Sequence, residues 1–213
     1  MTYLQLVNET LRRLRENEVT TVTQTAYSKL MGEYINDAKR QVEDAWNWDA
    51  LQTTIPITTI PGTTTYVVTG SGLRPKDVYI NDVTNRFPLA SVNLQWIVNQ
   101  QELSQVQAAQ PCYYSWNGNN GTDSKLELYP TPDGAYTLNI SVCVPQARLS
   151  ADGDTITVPY EAVVQGAVAR ALAERGEDGG LSSSEAYGLF KGILADQISH
   201  EVVRFQNDCW EAC

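Results

Sequence analysis

The hydrophobic period of this chain changes twice, and that change limits what it can fold into. Over residues 2–16, Leu4, Val7, Leu11 and Leu14 recur at helical steps of three and four. A longer stripe follows: Ala26, Leu30, Tyr34, Ile35, Ala38, Val42, Ala45 and Trp46. It predicts a second helix from about Thr25 to Trp46. The segment between, NEVTTVTQ, favours a turn or short extended link, so the two helices should pack stripe to stripe. After residue 50 the pattern becomes short β-rich runs punctuated by Pro and Gly: TTIPIT, TTTYVV, DVYIND, CYYSW, KLELY and YTLNISVCV. The alternation is cleanest in the last, where Tyr136, Leu138, Ile140 and Val142 share one face. A short helix is expected around Leu94–Gln107. Helical spacing returns after residue 150.

Turn and cap chemistry divides these runs. PG at 61–62, NGNNG at 117–121 and PDG at 132–134 mark turns, and PDG between KLELYP and AYTLNI reads as a hairpin. Pro159 near a first helical position, Glu161 in the first turn, Arg175 in the last turn and Gly176 just beyond bound a third long helix. Its face, Val164, Ala167, Val168, Ala171 and Leu172, is small and apolar and suits close helix contact. Ser182 and Glu185 have capping-box spacing ahead of a last helix to about Phe205. The stripe of that helix is Tyr187, Phe190, Leu194, Ile198, Val202 and Phe205. The expected architecture is α+β. Residues 1–50 and 151–213 form a four-helix bundle from N- and C-terminal helical pairs, and 51–150 form an inserted antiparallel β-sandwich or barrel.

The net charge of −10 is uneven: −2 over residues 1–50, −1 over 51–150 and −7 over 151–213. An acidic end argues against a nucleic-acid groove, which needs clustered Lys and Arg, and suits a wall that DNA slides past. Arg12, Arg13 and Arg15 look basic, but Glu9 precedes Arg13 by four and Arg12 precedes Glu16 by four, so a solvated ion-paired face is expected. Cys112, Cys143, Cys209 and Cys213 are too scattered for a disulfide scaffold, and no CxxC occurs. MTYLQLVNETLRRL is no signal peptide, and no run approaches the roughly 18 apolar residues of a membrane span. These features point to synthesis in a reducing cytoplasm.

Catalytic patterns are sparse. His200 is the only histidine, and its place beside Glu201 near an apolar stripe reads as structural. Asp152 and Asp154 lack the further spaced oxygens of an EF-hand, so ADGD reads as a turn leading into a helix. NGNNGTD reads as a loop tip. There is no GxGxxG and no GxxxxGK[ST]. Carboxylates paired only in space stay open as a hydrolase reading. No catalytic residue, metal or cofactor is expected.

Aromatic residues offer the other candidates. Trp46 and Trp48 lie two apart, so one helix would point them about 200° away from each other. Trp46 continues the core stripe, and a helix ending near Asn47 would let Trp48 pack, with Leu51, at a hinge between the helical and β parts. Trp96, Tyr113, Tyr114 and Trp116 are candidate contacts with a neighbouring subunit or tail protein. They could instead form a glycan- or peptide-binding surface, and CYYSW also fits a strand with one buried face. The terminal QNDCWEAC, with Phe205, Asp208, Trp210 and Glu211, is an aromatic, acidic segment suited to docking on a partner.

Four stretches together carry a resemblance: LVNETLRRL, NDAKRQVEDAWNWDAL, LELYPTPDGAYTLNISV and LSADGDTITVPYEAVVQGAVARALAERGED. In this order the chain resembles the head-to-tail adaptor proteins of tailed bacteriophages, the neck or tail-tubular-protein-A-like group. The resemblance implies a helical bundle with an inserted β domain and a ring of about twelve subunits, each with two complementary patches. It implies a virion protein joining the portal above to the tail nozzle or tube below, with DNA passing through the centre. It implies no enzymatic activity, no cofactor and no membrane partner.

Overall fold

The computed structural model describes residues 1–103, 108–176 and 181–203. Five helices lie within them: α1 (Tyr3–Arg13), α2 (Ala26–Ala45), α3 (Leu94–Leu103), α4 (Tyr160–Arg175) and α5 (Leu181–Val202). Eight strands form two four-stranded sheets, antiparallel except for one pair, so the fold is mixed α+β. The chain divides into two compact units, Met1–Leu51 with the chain from Pro145 onward, and Gln52–Val144.

In the helical unit, local chemistry sets the helix ends. Thr2 and Thr25 each start a helix with a capping box, closed by Gln5 and by Ser28. The turn at Asp152–Asp154 serves α1: Tyr3 N–H donates to the Asp154 carbonyl at 2.8 Å and Leu4 N–H to that of Asp152 at 3.2 Å. Both donors would otherwise be orphans of the helix start. Gly176 ends α4 at φ 62°, in the left-handed region. The last cap falls elsewhere than expected. Ser182 lies inside α5, which is already helical at Leu181, so Ser182 to Glu185 is not its N-terminal cap.

Helix α4 is buried continuously from Ala162 to Ala169 and again at Ala171, so α1, α2 and α5 pack on several of its sides. A helix with one solvent face could carry large side chains on the other. One enclosed this way needs small ones to let its neighbours approach. The tightest approach is at Gly166, where an added Cβ would lie 3.1 Å from Ala38 Cβ and 3.2 Å from the ring of the fully buried Phe190. Polar links run between the same helices. Arg13 donates to Gln165 at 2.9 Å, Gln165 to the Ala186 carbonyl at 3.3 Å, and Arg170 to Gln41 at 2.7 Å.

The stripes of α1 and α2 are partly as expected. Val7, Leu11, Leu14, Ile35, Ala38 and Val42 are buried, whereas Ala26 and Ala45 are exposed. Polar residues fill the remaining interior of α2. Asn36 bridges the Leu149 backbone through both ends of its amide, at 3.1 and 2.9 Å. Lys39 Nζ lies 2.8 Å from Glu43 and 2.8 Å from the Gln146 carbonyl, with both side chains buried. Burial raises the Glu43 pKa against the opposing pull of Lys39. On α1, Glu9 pairs with Arg12 and Arg13; Arg12 also reaches Glu18, and Glu16 pairs instead with Arg175 at 2.6 Å.

In the β unit one sheet has the order β1 (Gln52–Thr58), β8 (Thr137–Cys143), β3 (Lys76–Asp82), β4 (Phe87–Pro88). The other has β2 (Thr65–Val67), β7 (Ser124–Tyr129), β6 (Tyr113–Asn119), β5 (Ala90–Ser91), and β5 runs parallel to β6. Leu138, Ile140, Val142 and Ile80 of the first sheet share one core with Tyr114, Leu126 and Leu128 of the second. The alternation read in β8 therefore does face the core. The Asn-rich turn at 117–121 joins β6 to β7 as a hairpin, with Gly118 and Gly121 at positive φ. The PDG turn does not close a hairpin: β7 and β8 lie in different sheets. Pro130, just past β7, has no N–H for a ladder, and the Tyr136 carbonyl beyond the turn accepts from Thr59 instead.

Gly166→Val is expected to destabilise the helical unit by about 2 kcal/mol and lower its Tm by about 6 °C, because the added methyls meet two fixed neighbours. Thermal unfolding followed by circular dichroism at 222 nm measures this, and an unchanged Tm would show that the packing around Gly166 is loose.

Candidate functional site

At the end of α2 the backbone turns extended at Trp46, then forms one 3₁₀ turn at Asp49–Leu51. Trp48 is 2% exposed, and its indole Nε1 donates to the Val42 carbonyl at 2.8 Å. That carbonyl belongs to the last turn of α2, where acceptors lack helical partners, so the indole acts as a side-chain cap. The helix ends before Asn47, which frees Trp48 from the geometry that would have opposed it to Trp46. Trp46 does not continue the core stripe as expected. Trp48 is the core residue, with Leu51 also buried, while Trp46 is half-buried and follows the exposed Ala45. Beside Trp48 opens a cleft of about 410 Å³, lined among others by Tyr160, Glu161, Gln197 and Glu201. Glu201 holds the Asp49 N–H at 3.0 Å, and Glu161 accepts from Gln197 at 3.3 Å.

The β unit separates the four candidate aromatics. Alternation along β6 sends Tyr114 and Trp116 inward, and Tyr113 and Ser115 outward. Tyr114 is buried at 4% exposure with its hydroxyl donating to the Val78 carbonyl of the other sheet at 3.1 Å, and Trp116 packs against the core. Trp96 on α3 and Tyr113 remain on the surface, 38% and 37% exposed, with ring centroids 5.2 Å apart. Tyr129, directly opposite Tyr113 in the register, completes the group at 5.3 Å from Trp96. Sequence reading missed Tyr129, since only the β6–β7 register brings it there. Both contacts of Trp96 are edge-to-face, a favourable arrangement of ring quadrupoles.

Under α3, on the same outer side of the sheet, lies Glu127, 4% exposed. Thr65 donates to its carboxylate at 2.6 Å, Gln101 at 3.1 Å and Asn117 at 3.1 Å. Burial pushes its pKa up, but the hydrogen bonds from Thr65, Thr64, Gln101 and Asn117 outweigh burial and hold it below the usual value. A carboxylate kept ionised with its acceptor sites occupied is suited to tie β2, β6, β7 and α3 together, not to exchange protons.

The remaining candidates resolve simply. His200 is exposed on α5, not enclosed in a core. Asp154 accepts from the Ser150 and Ala151 N–H groups at 2.7 and 2.8 Å, as a turn residue does, and these bonds lower its pKa. Among the described residues no group of three or more His, Cys, Asp or Glu could hold a metal ion. None of the described helices is long and apolar enough to cross a membrane. Phe205, Asp208, Trp210 and Glu211 lie outside the described residues.

Two substitutions test these roles. Trp48→Ala is expected to cost about 3 kcal/mol of stability, and Trp48→Phe about 1 kcal/mol, since it keeps the ring but loses the donor to Val42. Urea denaturation at 222 nm separates them; an unchanged midpoint for Trp48→Ala would remove the tryptophan from the core. For Glu127 the folded-state pKa lies below the unfolded value of about 4.5. Its stabilisation is therefore complete above that value and lost as the pH falls through the folded pKa. Glu127→Gln is expected to destabilise the β unit by about 2 kcal/mol at pH 7, with the gap to the parent closing as the pH falls through the folded-state pKa. A gap independent of pH would show that charge is not what the site uses.

Among the described residues the geometry therefore offers the cleft beside Trp48 and the exposed aromatic group at Trp96. No curated protein matches the chain. The family model of the SU10 adaptor protein matches residues 1–207. That span includes both units, and the family is one of structural phage adaptors, components of the virion that contact other head or tail proteins. The chain belongs to the SU10 adaptor protein family.

Proposed function

We propose that this chain is a head-to-tail adaptor of the tail-tubular-protein-A-like kind. About twelve copies form a ring beneath the portal, join the capsid vertex to the tail nozzle or tube, and let DNA pass without sequence-specific binding. The observation that carries this reading is the adaptor family match over residues 1–207. The net charge of −10 supports it, since an acidic passage does not retain DNA. In this reading residues 1–50 with 151–213 act as a helical bundle domain and 51–150 as an inserted β-sandwich domain, with Trp46, Trp48 and Leu51 at the hinge. The segment holding Phe205, Asp208, Trp210 and Glu211 docks on the portal, and the protein acts by surface complementarity with no bond made or broken.

A second reading, a glycan- or peptide-binding β module of a tail component, has one observation in its favour: the exposed Trp96–Tyr113 pair. It would need residues 51–150 to bind by themselves.

Negative-stain images of the chain mixed with purified portal are expected to show a second ring stacked on the portal, and a chain ending at Arg204 is expected to lose that stacking. Normal stacking by the truncated chain would displace the docking segment. No binding by the full chain at any concentration would sink the adaptor reading.

A further inference from the structure

Between α2, α4 and α5 the helical unit leaves a second cleft, of about 420 Å³. Ala169 and Ala173 of α4 and the exposed Tyr187 of α5 give it apolar walls, and Gln41, Ser183 and Ser184 stand around them. The charged residue among those lining it is Arg170.

Arg170 is half-buried and tied down. Its Nη1 donates to the Gly166 carbonyl at 2.9 Å and its Nη2 to the Gln41 amide oxygen at 2.7 Å. Both acceptors are neutral, and the guanidinium has further N–H donors beyond these two. Among the described residues no carboxylate pairs with it. Glu174, four residues on along α4, and Glu185, next to Ser184, make no ion pair with Arg170. The chain has twenty-five Asp and Glu against fifteen Lys and Arg, yet this partly enclosed cation is left without one. Enclosing a charge is costly unless an opposite charge compensates it. Two features add to the positive character of the cleft. Lys191 Nζ lies over the Tyr187 ring, 4.9 Å from its centroid. Ser183 and Ser184 lie in the first turn of α5, at the positive end of its dipole.

Charge complementarity calls for an anion, and the walls select its kind. A nucleic-acid strand needs a row of cations, which one arginine between alanines does not offer. A carboxylate matches a single guanidinium through paired hydrogen bonds, and the apolar walls suit the side chain beside it. The net charge of −10 repels acidic ligands at long range, so the carboxylate must bring apolar contact with it.

We infer that this cleft is a docking pocket for an acidic peptide segment of another protein. Its Asp or Glu carboxylate sits on Arg170, and a neighbouring aliphatic side chain sits on Ala173 and Tyr187. The choice of a protein occupant rests on membership of the adaptor family, and the chemistry of the pocket does not depend on the ring. Because two hydrogen bonds already hold the guanidinium, little ordering is lost when the segment arrives.

The test uses the full chain and two blocked dipeptides as probes, acetyl-Leu-Glu-amide and acetyl-Leu-Gln-amide, with sodium phosphate and sodium acetate as free anions. Binding is read by nuclear magnetic resonance from the Arg170 Nε–H and from the amides of Gln41 and Ser184. The glutamate probe is expected to shift these signals with a Kd of about 1 mM, and the glutamine probe, phosphate and acetate to bind about tenfold more weakly. Arg170→Gln should erase the difference between the dipeptides. If that variant does not fold, the two dipeptides on the parent chain still decide the matter. A Glu177→Gln/Asp178→Asn variant, altered in the acidic stretch that follows α4 in the sequence, is expected to bind like the parent.

Equal binding of the two dipeptides overturns the assignment, and so do shifts confined to other residues. Phosphate or acetate binding as tightly as the glutamate probe also overturns it, leaving a site for free anions only. A probe that binds only after Glu177 and Asp178 are changed shows that the chain supplies its own carboxylate, which overturns it as well. Glutamate-probe binding at Arg170 by a chain that fails to stack on the portal would sink the neck reading and keep this one.

Discussion

The close packing of α4 is the constraint on which the helical unit depends. Its run from Ala162 to Ala169, mostly Ala, Val and Gly, is buried, and at Gly166 a further carbon would crowd Ala38 and Phe190. Dispersion and apolar burial hold this arrangement, and both fall off sharply if the helices separate by the width of a methyl group. The polar links from Arg13 through Gln165 to the Ala186 carbonyl, and from Arg170 to Gln41, satisfy groups that close packing would otherwise strand. The buried Lys39–Glu43 pair is best understood in the same way. Its value lies in placing the Gln146 backbone against α2, since desolvation offsets much of the attraction between the charges.

The β unit solves a different problem. Two four-stranded sheets share one apolar core, and one of them is also covered on its outside by α3. An ionised carboxylate holds that cover in place: Glu127 is ringed by donors from β2, α3 and β6. The aromatic group of Trp96, Tyr113 and Tyr129 stands beside it. On the other sheet Thr54, Pro56, Tyr79 and Asn81 are exposed.

The carboxylates with shifted pKa values point to structure: Glu43 is raised by burial beside its lysine, Glu127 and Asp154 are lowered by hydrogen bonds that occupy them. Membership of the SU10 adaptor protein family agrees with a molecule whose work lies in its surfaces. For such a protein the interior fixes the shape, and the choice of partner is made by charge, apolar exposure and edge strands outside.

The division of labour between sequence and tertiary structure follows from the range of each signal. Periodicity, caps and turns act over a few residues, so the helix–β–helix order, the Pro159 and Gly176 helix ends, the core side of β8 and the Asn-rich hairpin were legible in the sequence alone. Where a signal needs a distant partner, it was not. No local pattern marks Lys39, Glu43 and Asn36 as interior; Gln146 and Leu149, brought beside them by the fold, do. Tyr129 joins Trp96 only through the β6–β7 register, and Pro-Asp-Gly looks like a hairpin until its strands are seen in separate sheets. Trp46 leaves the core stripe because α2 ends one residue before it, and the same ending lets the Trp48 indole fold back onto the Val42 carbonyl. Local pattern determined which segments form which elements. Packing decided which polar and aromatic side chains are interior, because burial depends on contacts that no local pattern encodes, some of them across more than a hundred residues.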